Sequence, residues 1–265
     1  RGQTSLLTNS WTVRMGQVCA IIVITPLAGW ALDQWGHQVL FPLGSLLGIL
    51  SVFFFTRIKL QENTITTRPT KAVSDLVQIV RQDRRFVMHL LCFALLGMGT
   101  MLSAPFYPIV QVDRLHLSYS QVGLLGLVES LLWLSSYPFW GRVLDRYGGV
   151  YVLRRVFGAS VFFPRSYIFA TSPWLLIPAF IARGIVNAGF ELGRINAGIQ
   201  LSSRGQFIEY ASIQSTVVGI RGILSPLLGV ALLRMGMPEN GVFALSAGLM
   251  GLGWWLYRYV DVERV

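Results

Sequence analysis

Eight apolar stretches of about 20 residues, the length a helix needs to cross the hydrocarbon core of a bilayer, constrain this chain more than any other feature. They run approximately from Thr8 to Ala31, Val39 to Thr56, Phe86 to Val110, Tyr119 to Trp140, Tyr151 to Ala170, Trp174 to Gln200, Ile208 to Leu233 and Gly241 to Val260. Their length, and the lack of period-two alternation, select helices over strands. The first run is too long for a secretory signal and lacks a small-residue cleavage site, so it counts as a span. The expected fold is an all-α polytopic membrane bundle. Composition agrees: 53% of residues are hydrophobic and only 13% charged, where a soluble domain carries about a quarter. Soluble enzymes and free nucleic-acid binders are thereby disfavoured.

The charge that exists is strongly basic, a net +10, and its distribution explains it better than nucleic acid does. An even number of spans puts both termini on one side. The segments on that side hold sixteen Lys and Arg, against three (Arg114, Arg165 and Arg234) on the other. Short cytoplasmic loops retain basic residues, so both termini are expected in the cytoplasm of a cell-membrane protein, with the loops touching anionic lipid headgroups. Arg14, Arg183 and Arg221 fall within spans, and Arg14 is close enough to the inner interface to snorkel.

The longest polar segment, residues 58–85, reads as a cytoplasmic linker. Its Thr-rich first part is flexible in composition, and its second part spaces Ala72, Val73, Leu76, Val77, Ile79 and Val80 as an amphipathic surface helix followed by Arg81, Arg84 and Arg85. The chain also repeats itself. Arg1-Gly2-Gln3 returns as Arg204-Gly205-Gln206, and Pro26-Leu27-Ala28-Gly29 returns as Pro226-Leu227-Leu228-Gly229. The offsets agree to within a few residues, so spans one and two correspond to spans seven and eight, and six spans form one unit. The expected organisation is therefore 1–57 as the last two helices of an N-terminal half, 58–85 as linker, and 86–265 as a six-helix C-terminal half. The four preceding helices of the same parent chain would be missing, and the chain opens on Arg rather than Met.

Gly141-Arg142-Val143-Leu144-Asp145-Arg146-Tyr147-Gly148, running on to Leu153, follows the fourth span on the basic side. It resembles the inter-helix signature of the major facilitator superfamily, departing from it at Gly149 and Val150, where the family favours basic residues and where Arg154 and Arg155 are the available substitutes. Ala182-Arg183-Gly184 and Arg204-Gly205 are similar to the family's fourth-helix pattern. The resemblance implies a twelve-helix, two-half transporter fold of which these eight spans are helices five to twelve. It makes Gly141, Arg142, Asp145, Arg146 and Gly148 a gating motif, and it implies alternating access about a midplane site. Asp145 would then sit against the positive N-terminal end of span one, near Asn9 and Ser10. Asp33-Gln34-Trp35-Gly36-His37 looks superficially like a second copy but reads as a tight loop between spans one and two.

Ionisable residues near mid-bilayer are expensive and normally face an interior. Glu129 lies in span four, Arg183 and Glu191 in span six, and Arg221 in span seven. At 100° per residue Arg183, Asn187, Glu191 and Arg194 share one face. Glu129, Trp133, Ser136 and Trp140 form a second polar stripe, and Gln214, Arg221 and Ser225 a third. In one reading Arg183, Asn187 and Arg221 surround a central cavity with a desolvated Glu as proton carrier. In the other, Glu129 and Glu191 merely pair with Arg183, Arg221 or Arg194. Both stand for Arg183, while Glu129 and Arg221 lean toward pairing or gating. Gly44 with Gly48, and Gly189 with Gly193, suit close helix contacts. Pro105, Pro108, Pro164 and Pro178 are expected to kink their spans, and Phe106, Tyr107 and Trp133 are candidates to face substrate.

No metal or cofactor is expected. Cys19 and Cys92 lie inside apolar runs, the three histidines lack ligand spacing, and no phosphate-binding or hydrolase motif occurs. The expected function is a secondary transporter moving a small solute, coupled to protons. A non-transporting receptor or scaffold and an integral-membrane enzyme are the alternatives. Buried arginines point to an anionic solute, and the Trp and Phe content to a drug-like amphiphile.

Overall fold

Polar interruptions set the helix boundaries. The structure is a computed structural model that describes residues 20–57, 73–202 and 206–260, and every regular element among them is helical. Helix α1 is described over Ala20–Trp35, and Gly36, with φ of +69°, turns the chain into α2, His37–Thr56. Helix α3, Val73–Gln82, is the expected amphipathic segment. Asp83 then caps α4, Arg84–Ser103, accepting from the Phe86 amide at 2.9 Å. After α5, Phe106–Ile109, one π-helical turn covers Val110–Arg114. Ser118 and Gln121 form a reciprocal capping box that opens α6, Tyr119–Tyr147.

Helix α6 stops at Gly148, whose φ of +82° is open to glycine but strained for a side chain. Its role in the sequence motif is thus conformational. Helix α7, Gly149–Ser160, follows at once, and α8 covers Phe162–Ile168. The break between them falls where Pro164, lacking an N–H, leaves no donor for the Ser160 carbonyl. Pro178, expected to kink its span, instead occupies the first turn of α9, Ile177–Leu201, where proline is well tolerated. Helices α10, Phe207–Arg234, and α11, Glu239–Leu256, complete the chain.

Five helical stretches among the described residues are long and apolar enough to cross a bilayer: His37–Phe54, Arg84–Arg114, Tyr119–Tyr147, Pro173–Leu201 and Phe207–Arg234. The other three of the eight expected spans take different forms. Helix α1 is described only from Ala20, the fifth span is divided into α7 and α8, and α11 opens on polar Glu239 and Asn240.

Helix α9 lies between α6 and α7, and α4 lies between α10 and α11, with α11 joining the two groups by packing on α7 and α8. Two large cores close the ends. One gathers Leu102, Phe106, Val110, Tyr167, Leu176 and Phe243; the other gathers Phe93, Leu96, Leu153, Phe157, Met250 and Tyr257 with the free, fully buried Cys92. A smaller cluster of Phe86, Leu90 and Tyr210 takes Ile79 from α3, so α3 covers this end of the bundle with part of its apolar face. Phe106 is core, not a substrate-facing residue.

Helix α1 meets the bundle along α6. A Cβ on Gly29 would overlap the Tyr119 carbonyl, and one on Gly123 would stand 3.0 Å from the Thr25 carbonyl. At the end of this seam Asp33 accepts hydrogen bonds from the amides of Tyr119 at 2.9 Å and Ser120 at 2.8 Å, and from the Ser120 hydroxyl. Asp33 thus stands in the last turn of α1, not in the loop expected there, and supplies an anion to two of the amides that a helix start leaves unpaired. Helix α2 behaves differently. Nothing lies within 4 Å of a Cβ at Gly44 or Gly48, so the close contact expected of that pair is not made among the described residues. Gly189 and Gly193 do pack closely, against Trp140 and Leu153.

Candidate functional site

Between the two cores a cavity of about 590 Å³ is lined by every helix from α4 to α11 and by Thr25 of α1. Its charged and amide lining on one side comes from Arg183 and Asn187 of α9, which reach behind the wall to Glu129 of α6. Gly184 is the reason these helices meet so closely: a Cβ there would overlap the Glu129 carbonyl. With the backbones in contact, Arg183 and Asn187, four residues apart on one helix face, both reach the same carboxylate. Arg183 Nε lies 3.2 Å from Glu129 Oε1, and Asn187 Nδ2 donates to that oxygen at 2.8 Å. The Glu129 side chain is 15% exposed and that of Arg183 41%. The Arg183 guanidinium also stacks over the Phe163 ring, 4.5 Å from its centroid.

Arg221 of α10 approaches from another wall. Its Nη1 donates to the Phe93 carbonyl at 2.5 Å, and its Cζ lies 4.5 Å from the centre of the Phe93 ring. It is buried and has no carboxylate partner among the described residues. The pairing reading therefore fits Arg183 and Glu129 but not Arg221. Gln214 and Ser225, on the same face of α10, are buried as well, and each retains a side-chain atom without a partner. Neither lines the cavity.

Glu191 sits apart from the Glu129 pair. It accepts from the Tyr137 hydroxyl, which in turn accepts from Trp133 Nε1 at 3.1 Å. Trp133 thus belongs to this relay between α6 and α9. Tyr137 went unmarked in the sequence because a tyrosine in an apolar run carries no distinctive signal. The same is true of Phe163, Phe180 and Phe190, which line the cavity beside the expected Tyr107. Tyr107 is held by a buried hydroxyl chain, Tyr107 to Ser103 at 2.9 Å and Ser103 to Ser246 at 3.0 Å.

The motif Gly141, Arg142, Asp145, Arg146 and Gly148 lies at the far end of α6. Asp145 and Arg146 are exposed. The stretch near Asn9 and Ser10 expected to receive Asp145 lies outside the described residues. Arg154 and Arg155 are directed elsewhere: Arg154 donates to the Val260 carbonyl at 3.1 Å, and Arg155 to the Tyr151 hydroxyl at 3.2 Å. The start of α7 is capped from α9 instead, where Gln200 Oε1 accepts from the amides of Gly149 at 3.0 Å and Val150 at 3.2 Å. Among the described residues no group of three His, Cys, Asp or Glu side chains converges as a metal site would require.

Membrane-length helices thus surround a cavity lined from Thr25 to Met250, with Arg183 at its wall paired to Glu129 behind it. No curated protein compared with the chain matches it. The sequence profile described as Major Facilitator Superfamily matches residues 12–190, well over half the chain, including the Asp145 motif and Arg183. This membrane-embedded chain belongs to the Major Facilitator Superfamily, a family of membrane transporters.

Proposed function

We propose that the protein is a secondary active transporter that moves a small solute by alternating access and couples that movement to protons through Glu129. The observation that carries this reading is the Glu129 carboxylate just behind the cavity wall, shared by the lining residues Arg183 and Asn187. A carboxylate held by one guanidinium and one amide has two stable arrangements. Ionised, it keeps both partners. Protonated, it loses much of its attraction for Arg183, which is then free to face the cavity. Binding of a proton and release of an arginine are thereby linked at one oxygen.

Thr25 in the cavity lining supports a two-half arrangement, because α1 belongs to the segment assigned to the first half. In this reading both termini are cytoplasmic, the protein resides in the cell membrane, and residues 58–85 connect the halves. The loop of Gly141, Arg142, Asp145, Arg146 and Gly148 serves the cytoplasmic gate. Direct energy coupling comes from the proton gradient.

The test is proton flux in proteoliposomes carrying the full-length protein, read with an internal pH dye while a panel of organic solutes is added. The wild-type protein is expected to give solute-dependent proton movement, lowered at least about tenfold in Glu129→Gln. Tenfold corresponds to about 1.4 kcal/mol of lost coupling. Solute-dependent flux that is unchanged in Glu129→Gln would overturn the role of Glu129.

A further inference from the structure

We infer that Arg221 is an anion-binding group of the cavity and that the solute it takes is an organic monoanion with an aromatic body. The inference rests on the transporter reading and goes on to name the chemistry of the cargo.

Arg221 is 9% exposed, lines the cavity, and has no acid beside it among the described residues. A guanidinium has five N–H donors and no acceptor. In this structure one donor goes to the Phe93 carbonyl, and the buried Nε has no partner. A buried charge left in this condition is strongly unfavourable unless something pairs with it.

The surroundings are nonetheless built to hold it there. A Cβ at Gly97 would overlap the guanidinium, so the bare backbone of α4 is what makes room for it. The face of Phe93 lies beneath it, 4.5 Å from Cζ, an attraction that keeps the group in place without neutralising it.

The charge count gives the valence of the ligand. Glu129 already balances Arg183, so one positive charge at the cavity wall remains without a counter-charge, and one negative charge completes it. A carboxylate matches the fork of an arginine. Most of the remaining lining is apolar or aromatic, including Phe180, Phe190, Met101 and Met250, with Thr25, Thr100, Gln111, Ser160 and Asn187 among its polar members. A volume of about 590 Å³ lies within the usual range for small organic ligands.

Equilibrium binding to the purified full-length protein tests this, with radiolabelled benzoate, 1-naphthoate and indole-3-acetate, each against its uncharged amide. At least one acid is expected to bind roughly tenfold more tightly than its amide, a difference of about 1.4 kcal/mol. Arg221→Gln should bring acid and amide to within about twofold of each other while leaving the amide's binding in place, and Arg221→Lys should retain part of the preference. Gly97→Ala pushes the guanidinium aside without removing its charge and should weaken the acid alone. It serves as the second test if Arg221→Gln does not elute as a folded species. A wild-type protein that binds none of the acids, or binds acids and amides equally, overturns the proposal, as does an Arg221→Gln protein that keeps the preference. Retained preference in Arg221→Gln, with proton flux lost in Glu129→Gln, would remove the anion site and leave the transporter. Arg221-dependent acid binding with flux unchanged in Glu129→Gln would keep the anion site and overturn only the coupling role of Glu129.

Discussion

Arg183 and Arg221 stand at the same cavity, each with its Cζ 4.5 Å from the centre of a phenylalanine ring, yet only one has an acid. Arg183 shares Glu129 with Asn187 and remains 41% exposed along its side chain. Arg221 is buried against a backbone carbonyl and a glycine. The lesson is that sequence position alone did not distinguish them: both are lone arginines in apolar helices. What separates them is the facing helix. Helix α9 meets α6 at the turn that carries Glu129, whereas α10 meets α4 where Phe93 and Gly97 stand. One arginine is locally balanced and the other is left for a ligand.

The largest effect should come from inverting the balanced pair. Glu129→Arg and Arg183→Glu, made singly, each place two like charges side by side at the edge of the cavity. Solute-dependent proton flux is expected to fall about 100-fold in each, or about 2.7 kcal/mol. The double exchange restores opposite charges and should recover flux to within about tenfold of wild type, the signature of coupled neighbours. A double exchange no better than the singles would break the comparison, because Arg183 would then act alone as Arg221 does.

Thermal stability should separate the two arginines next, and with opposite signs. Removing one partner of a buried pair strands the other. Because Arg183 keeps considerable contact with its surroundings, Glu129→Ala is expected to lose only about 1 to 2 kcal/mol, read as a lower Tm of the ligand-free protein. Arg221→Met removes a charge that has no counterpart, and the ligand-free Tm should hold or rise by up to about 1 kcal/mol. A clear fall in Arg221→Met would mean that Arg221 has a structural partner and no vacancy for a ligand.

Much of this was legible in the chain because membrane length and lone charges are strong signals. The α3 segment, the polar stripe of Arg183 and Asn187, and the buried stripe of Gln214, Arg221 and Ser225 follow from helical periodicity alone. Family membership was legible in Asp145 and its neighbours. The pairing partners were not, because they depend on which turns of two distant helices meet. Gly184 decides that for Glu129, and its glycine identity looks ordinary in a sequence rich in glycine. Asp33 is the clearest case: its spacing suggested only a loop, while its partners lie 86 and 87 residues away. Pro164 was legible as a break in the fifth span, since a proline inside a helix removes a bond one turn earlier, and the kink expected there is the division between α7 and α8.

Glu191 offers a smaller test. Its hydrogen bond from Tyr137 ties α6 to α9 at a point apart from the Glu129 pair. Tyr137→Phe removes one donor and is expected to lower stability by about 1 kcal/mol, with proton flux within about twofold of wild type. Flux lost to the same degree as in Glu129→Gln would make Glu191 part of the coupling and widen the balanced side of the cavity.

The smallest effect concerns a charge whose partners are complete, which sets the reference for both arginines. The Asp33 carboxyl lies beyond the first apolar run and is held below its ordinary value of 3.8, chiefly by the Ser120 hydroxyl; desolvation opposes this, and the Ser120 and Tyr119 amides add to the lowering. A carboxylate with a depressed pKa stabilises the folded tie above its unfolded value and loses that contribution as pH falls through the lower folded value. Hydrogen exchange at the Tyr119 and Ser120 amides, corrected for intrinsic rates, should therefore stay protected from pH 7 down to about pH 4 and weaken only below 3.8. Asp33→Asn should be less protected throughout and indifferent to pH in that window. Wild-type protection that already fades near pH 6 would mean that Asp33 is no better satisfied than Arg221, and the seam between α1 and α6 would then rest on the close packing of Gly29 and Gly123 alone.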